Sequence, residues 1–392
     1  MKTLKRTWAD ISLDNLEYNY RSIRAHLPQG TKFLGVMKAD AYGHGAVPVS
    51  RALADLGAEY LAVSNLEEAV QIRRGEVRLP ILILGYTPAE YASNMIFLDI
   101  TQEVHSLEYA RELNEALAGT NYILNVHLKL DTGMTRIGFF AYDNERTLDE
   151  LRQVAQLPHL HIEGVFMHFC VADSRAEADV SFTKLQYKRF MDMLSAMAGV
   201  GIRPEIRHCC NSGATILRPE YAMDMIRPGV ATYGFHPSPD TVGEIDLRPM
   251  MSLHTSIAQI RTIAAGKSIS YGRTYTTPED KLVAVLPIGY ADGLSRLLSN
   301  RVTFRICGKE APVVGRICMD MCMVDISDIP EAKVGTTATL FGYDEDGTLL
   351  PCERIADMLG TINYEIVCDV NKRVPRFYYK DGKQVGILQY IV

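Results

Sequence analysis

The chain lacks the marks of a membrane, a nucleic-acid surface or an oxidising compartment. No stretch approaches the roughly 18 apolar residues of a membrane helix. The opening MKTLKRTWADISL has basic residues but no apolar run of signal-peptide length. There is no basic surplus. The formal net charge is −6, so nothing suggests a nucleic-acid partner, and any site for an anion has to be local. The eight cysteines form no C-x-x-C pair and no zinc spacing, which predicts free thiols and no metal centre. Solenoid repeats and low-complexity tracts are missing too. Together these absences predict a cytoplasmic protein that acts on a small molecule.

What is present is ordinary globular material: 392 residues, 47% hydrophobic and 22% charged, enough for at least two cores. Up to about residue 237, short apolar runs alternate with amphipathic helical stretches. The runs are FLGVMKAD, YLAVSN, ILILGY, DITQEV, NVHLKLD, HIEGVFMHF, EIRHCCNS and IRPGVATYG. In one intervening stretch, Ser64 and Glu67 have capping-box spacing. Eight runs separated by helices predict an α/β fold with an N-terminal (β/α)8 TIM-like barrel over 1–237. An open doubly wound sheet is the alternative, because strand order is not written in the sequence. Pro237 and Pro239 mark a linker. Residues 238–392 read as a mostly β C-terminal domain. They carry a hairpin turn at Asp346-Gly347 and one helix in CERIADMLGT, closed by Gly360.

In a barrel, reactive side chains gather at the C-terminal ends of the strands. Lys38 ends the first run. Lys129 and Arg136 flank another, His168 ends the next, then come Asn211 and Ser212, then Arg227 and Gly229. Lys38 reads either as a salt-bridged lysine or as a Schiff-base amine made nucleophilic by burial. Tyr42, Gly43 and Gly45 would then border a ligand phosphate. Ser212 and the backbone at Gly229 and Val230 offer a phosphate cup. Ser212 also reads as the N-cap of the helix GATILRPEY. His168 taken alone is a core histidine; Arg227, Lys129 and Arg136 taken alone are paired or solvated charges. Cys170 and Cys209 read as small buried hydrophobes.

Eight segments resemble, in order, those of the alanine racemases, barrel-type pyridoxal 5'-phosphate enzymes. They are VMKADAYGHGA, HLKLDTGMTRIGF, NSGATI, IRPGVATYG, ISYGRTY, PIGYADG, VGRICMDMCMVD and TINYEIVC. The resemblance implies a homodimer with shared active sites that interconverts L- and D-alanine, supplying D-alanine for peptidoglycan. It implies that Lys38 carries the cofactor and is one base, and that Tyr271 of the partner subunit is the other. Tyr42, Ser212 and Tyr364 would bind the cofactor phosphate with the backbone at Gly229 and Val230, and Asn211 lies beside them. His168 would pack near the pyridine ring, and Arg227 would face its nitrogen. Arg136 and the partner's Met319 would orient the substrate carboxylate, with Lys129, commonly carbamylated, steadying Arg136. Tyr290, Asp320 and Tyr364 would narrow the way in. An arginine keeps its proton, so this pairing predicts an unprotonated ring nitrogen and a shallow electron sink. A racemase of another small amino acid, such as serine, is the alternative. A bulky Tyr364 argues against it.

Overall fold

A computed structural model describes residues 5–391. It divides into two compact units. One comprises Glu17–Ala41 and Ala46–Arg248. The other comprises the segment up to Leu16, the short piece Tyr42–Gly45 and everything from Pro249 onward.

The first unit is the barrel. Its eight strands are Lys32–Val36, Tyr60–Val63, Ile81–Ile83, Ile100–Val104, Leu124–Asp131, Leu160–Phe166, Ile206–His208 and Met225–Ile226. Each overlaps one of the eight apolar runs, but the eighth, Met225–Ile226, shares only Ile226 with IRPGVATYG, which continues into a short 3-10 turn at Val230–Tyr233. Every neighbouring pair is parallel, and the eighth strand lies beside the first. Strands covered on both faces need no polar side, which is why most of them read as short apolar runs, although Ile100–Val104 (ITQEV) and Leu124–Asp131 (LNVHLKLD) carry polar residues. The seventh and eighth strands share no ladder. Two backbone bonds bring them together: Asp224 N–H to Arg207 O (3.1 Å) and Arg227 N–H to Cys210 O (2.9 Å). The barrel is therefore nearly closed.

The connecting helices begin where side-chain caps permit. Asn65 caps Leu66–Arg74 by accepting from Glu68 N–H, while Glu68 accepts from Ser64 N–H at 2.7 Å. The expected Ser64/Glu67 box is thus replaced by a cap one residue later, with the reciprocal arm reaching Ser64 N–H rather than the N–H of the capping Asn65.

The second unit is mostly β. Its large sheet runs Lys309–Pro312, Thr303–Ile306, Thr337–Tyr343, Met251–Ser256, Thr7–Ser12, Arg376–Lys380, Lys383–Leu388. Thr7–Ser12 lies antiparallel to Met251–Ser256 and parallel to Arg376–Lys380. A smaller antiparallel sheet joins Gln259–Ile263, Lys281–Leu286 and Cys322–Asp325. The expected turn at Gly347 (φ 82°) and the Gly360 stop (φ 71°) are both present. Besides the expected helix Glu353–Leu359 there is a second, Asn363–Cys368. Six residues are too few to show a helical period in sequence. Among the described residues, no helix is long and apolar enough to cross a membrane.

Candidate active site

Lys38 opens a feature that its sequence conceals. KADAY contains no glycine, yet Ala39, Asp40, Ala41 and Tyr42 all adopt left-handed backbone, with φ of 51°, 56°, 54° and 52°. Each such residue costs about 1–2 kcal/mol. Specific bonds fix the turn. Ala39 N–H donates to Glu68 Oε1 (2.7 Å), Ala41 N–H to Met37 O (2.8 Å), and Ala46 N–H to Asp40 Oδ1 (2.9 Å). Strain held by its surroundings in this way gathers at functional sites.

The neighbouring strand ends bring further residues of the same unit together. Arg227 is buried. Its guanidinium donates to Met167 O (2.7 Å), to His208 Nδ1 (2.9 Å) and, more weakly, towards His168 Nδ1 (3.4 Å). It also lies over the Phe166 ring, as does the Lys129 ammonium. Burial pushes Arg227 down to about 10. Burial likewise lowers Lys129 to about 8, with Asp131 opposing and Arg227 and Arg136 adding to the shift. His168 lies well below the usual imidazole range. Burial is the first cause, followed by the positive charges of Arg227, Arg136, Lys129 and Lys38. Four cations acting on one imidazole make a strongly positive strand-end cluster, suited to an anionic ligand.

Ser212 is buried, and its Oγ accepts from Ala231 N–H (3.2 Å), next to Gly229 and Val230. The strand-seven and strand-eight loops therefore meet. Ser212 is not the N-cap expected. That role belongs to Asn211, whose side chain accepts from Ala214 N–H at 3.0 Å, and Ser212 is the first helical residue. Cys209 is buried as expected. Cys170 is exposed, because it lies in the loop after the sixth strand rather than within it. Lys129 Nζ donates to Leu130 O (2.8 Å), and Arg136 sits exposed in a loop pinned by Asp131.

The remaining predicted residues belong to the second unit. The buried Tyr42 and the Tyr364 ring pack at 5.9 Å. Burial raises the Tyr42 phenol, with Tyr364 and Cys368 adding to the effect. Gly43 has to be glycine. Its φ is 79°, and a Cβ there would stand 2.2 Å from Val367 O. Tyr271 is 67% exposed at the tip of the hairpin Ser268–Ile269/Tyr275–Thr276. It borders a groove of about 780 Å³ with Cys318, Met321 and Met323. Tyr290 N–H donates to Cys318 O (3.1 Å) and Ala291 N–H to Met319 O (3.0 Å), which brings Tyr290 and Met319 together. Asp320 accepts from Arg373 Nη2 at 2.8 Å. Sequence reasoning missed Glu68 and His208, which hold Lys38's turn and Arg227. The one signal for His208 was its place just before the Cys-Cys-Asn strand end.

The alanine racemase N-terminal domain family model matches residues 11–237, and the C-terminal domain model matches 250–378. The alanine racemase of Clostridium tetani is 42% identical, covering 100% of both chains. That of Desulfovibrio desulfuricans is 45% identical over 95% of this chain and 97% of its own. Among solved structures, alanine racemase of Clostridium difficile 630 superposes with a TM-score of 0.94 at 40% identity, covering 100% of each chain. The Bacillus anthracis alanine racemase with bound L-Ala-P gives 0.91 at 34%, covering 100% of this chain and 99% of that one. The chain belongs to the alanine racemase family, isomerases that interconvert the two mirror forms of alanine.

Proposed function

We propose that the chain racemises alanine with bound pyridoxal 5'-phosphate by a two-base mechanism. The observation that carries this reading is the positive cluster around His168, formed by Lys38, Lys129, Arg136 and Arg227. It suits a cofactor that brings a phosphate and a substrate that brings a carboxylate. Lys38 would hold the cofactor covalently through Nζ. Ser212 and the backbone at Gly229 and Val230 would hold its phosphate, together with Tyr42 and Tyr364, and Asn211 caps the helix that Ser212 begins. When bound, the cofactor supplies an electron sink that weakens the substrate's Cα–H bond.

The chain's own residues then do the rest. Inverting Cα requires a proton taken from one face and another returned to the opposite face, which one base cannot reach alone. Lys38 Nζ serves the face from which D-alanine loses its proton. Tyr271 Oη, given by a second copy, serves the other. A free phenol has a pKa of about 10, so Tyr271 needs a cation nearby, a role suited to Arg227, whose guanidinium points towards the neutral His168. Arg227 holds its proton against the ring nitrogen. Arg136 and the partner subunit's Met319 orient the substrate carboxylate, and Lys129 steadies Arg136. Tyr290 and Asp320 border the approach. A homodimer, a cytoplasmic setting and a supply of D-alanine for peptidoglycan follow from the same reading.

The test is direct. Purified protein with pyridoxal phosphate and L-alanine should lose optical rotation until both enantiomers are equal, and L-serine should react far more slowly. Unchanged rotation with alanine, or equal rates with both, would count against the reading.

A further inference from the structure

Arg227 has no carboxylate within ion-pair distance among the described residues, yet its charge is buried. Its hydrogen bonds lead to one farther off. Arg227 Nη1 donates to His208 Nδ1 (2.9 Å). His208 Nε2 lies 2.8 Å from His127 Nδ1, and His127 Nε2 lies 3.1 Å from Glu163 Oε2. The ends fix the direction of every link. A guanidinium only donates, so His208 Nδ1 accepts and its Nε2–H donates to His127 Nδ1. His127 Nε2–H then donates to the carboxylate, which only accepts. Both imidazoles are buried and held below their ordinary range, first by burial, which keeps them neutral. Burial opposes ionisation of Glu163, but hydrogen bonds from His127, Tyr60 and Thr101 outweigh it and hold the carboxyl below its usual value.

Two further features build the chain into the fold. Register slips between the fifth and sixth strands. Val126 pairs with Ile162 but His127 pairs with Gly164, so Glu163 is the extra residue of a β-bulge. A bulge re-aims a side chain, and Glu163 thereby reaches Tyr60 Oη (2.8 Å), Thr101 Oγ1 (3.2 Å) and His127 together. The next residue makes room. A Cβ on Gly164 would stand 2.5 Å from the His127 ring.

We propose that Glu163 is a positioning residue for Arg227, its carboxylate anchoring through His127 and His208 the direction in which the guanidinium presents its N–H groups to the cofactor's ring nitrogen. The anchor lies deeper in the barrel, near the starts of the second and fourth strands, where Tyr60 and Thr101 sit. This rests on the reading of Arg227 given above, but the hydrogen-bond chain can be tested without it.

The experiment uses full-length protein carrying ¹⁵N-histidine, with and without pyridoxal phosphate, as wild type, Glu163→Gln and Glu163→Leu. In wild type, His127 and His208 should both be neutral with the proton on Nε2. The Gln amide oxygen still accepts, so Glu163→Gln should keep both tautomers and stay within about threefold of wild-type kcat. Glu163→Leu leaves His127 Nε2–H without an acceptor. It should mix the tautomers and lower kcat about tenfold, with KM held within about twofold. Either ring charged or carrying its proton on Nδ1 in wild type overturns the proposal, whether or not the variants fold. So does a Leu variant with unaltered ¹⁵N shifts and kcat. Failure of the wild type to take up pyridoxal phosphate would instead overturn the reading of the pocket, and the tautomer result would stand.

Discussion

Lys129 is buried to 3% exposure, and its folded-state value of about 8 lies below the ordinary 10.5. Below pH 8 both folded and unfolded chains hold the proton, and the full cost of burying the charge is present. Between 8 and 10.5 the unfolded chain holds a proton that the folded chain has released, so stability rises with pH. Above 10.5 neither is charged and the cost is gone. This one lysine should therefore add about 3 kcal/mol to unfolding free energy across that window. Urea titrations in carbon dioxide-free buffer, compared with Lys129→Met, provide the check. Parallel curves for the two proteins would mean that the ammonium is solvated. The same depressed value makes the neutral amine available near pH 8, the form a carbamate needs.

At the level of elements, the turn after the first strand invites a stability test. Ala39 is exposed, with φ of 51°, where glycine carries no Cβ penalty. Ala39→Gly removes about 1–2 kcal/mol of strain and costs about 0.5–1 kcal/mol in unfolded-chain entropy. The variant should be more stable by roughly 0.5–1 kcal/mol, read as a higher urea midpoint at unchanged slope. A lower midpoint would show that the alanine methyl packs usefully. The turn also marks where sequence reading stops. Most barrel strands were legible because strands covered on both faces are written as short apolar runs; ITQEV and LNVHLKLD, which carry several polar residues, were legible from their place in the alternation with helices. The placing of Lys38, His168 and Arg227 just past strand ends was legible as well, since a basic residue closing an apolar run stands out. The left-handed backbone of KADAY was not, because none of its residues calls for it and handedness is imposed by distant partners such as Glu68. Nor was the bulge at Glu163, since one extra residue in a strand leaves no compositional trace. The same holds for the shift of caps from Ser64 to Asn65 and from Ser212 to Asn211, where adjacent residues compete for one role.

At the scale of the whole molecule, the proposed shared site makes a quantitative prediction. Lys38→Ala and Tyr271→Ala chains should each be inactive. Mixed in equal amounts and allowed to exchange, half of the dimers are mixed, and each of these has one intact site and one doubly broken site. About a quarter of wild-type activity per milligram should return. Continued silence after exchange, verified by mass-tagged subunits, would place both bases in one chain. The large sheet sets a different constraint on the molecule. Its strand Thr7–Ser12 is flanked by Met251–Ser256 and Arg376–Lys380, both made more than 200 residues later. At ribosomal speeds of about 5–20 residues per second, that strand waits roughly 10–50 seconds for its first neighbour. The barrel's strands are all synthesised within that interval, so the opening segment of the nascent chain is the one most in need of a chaperone's shelter.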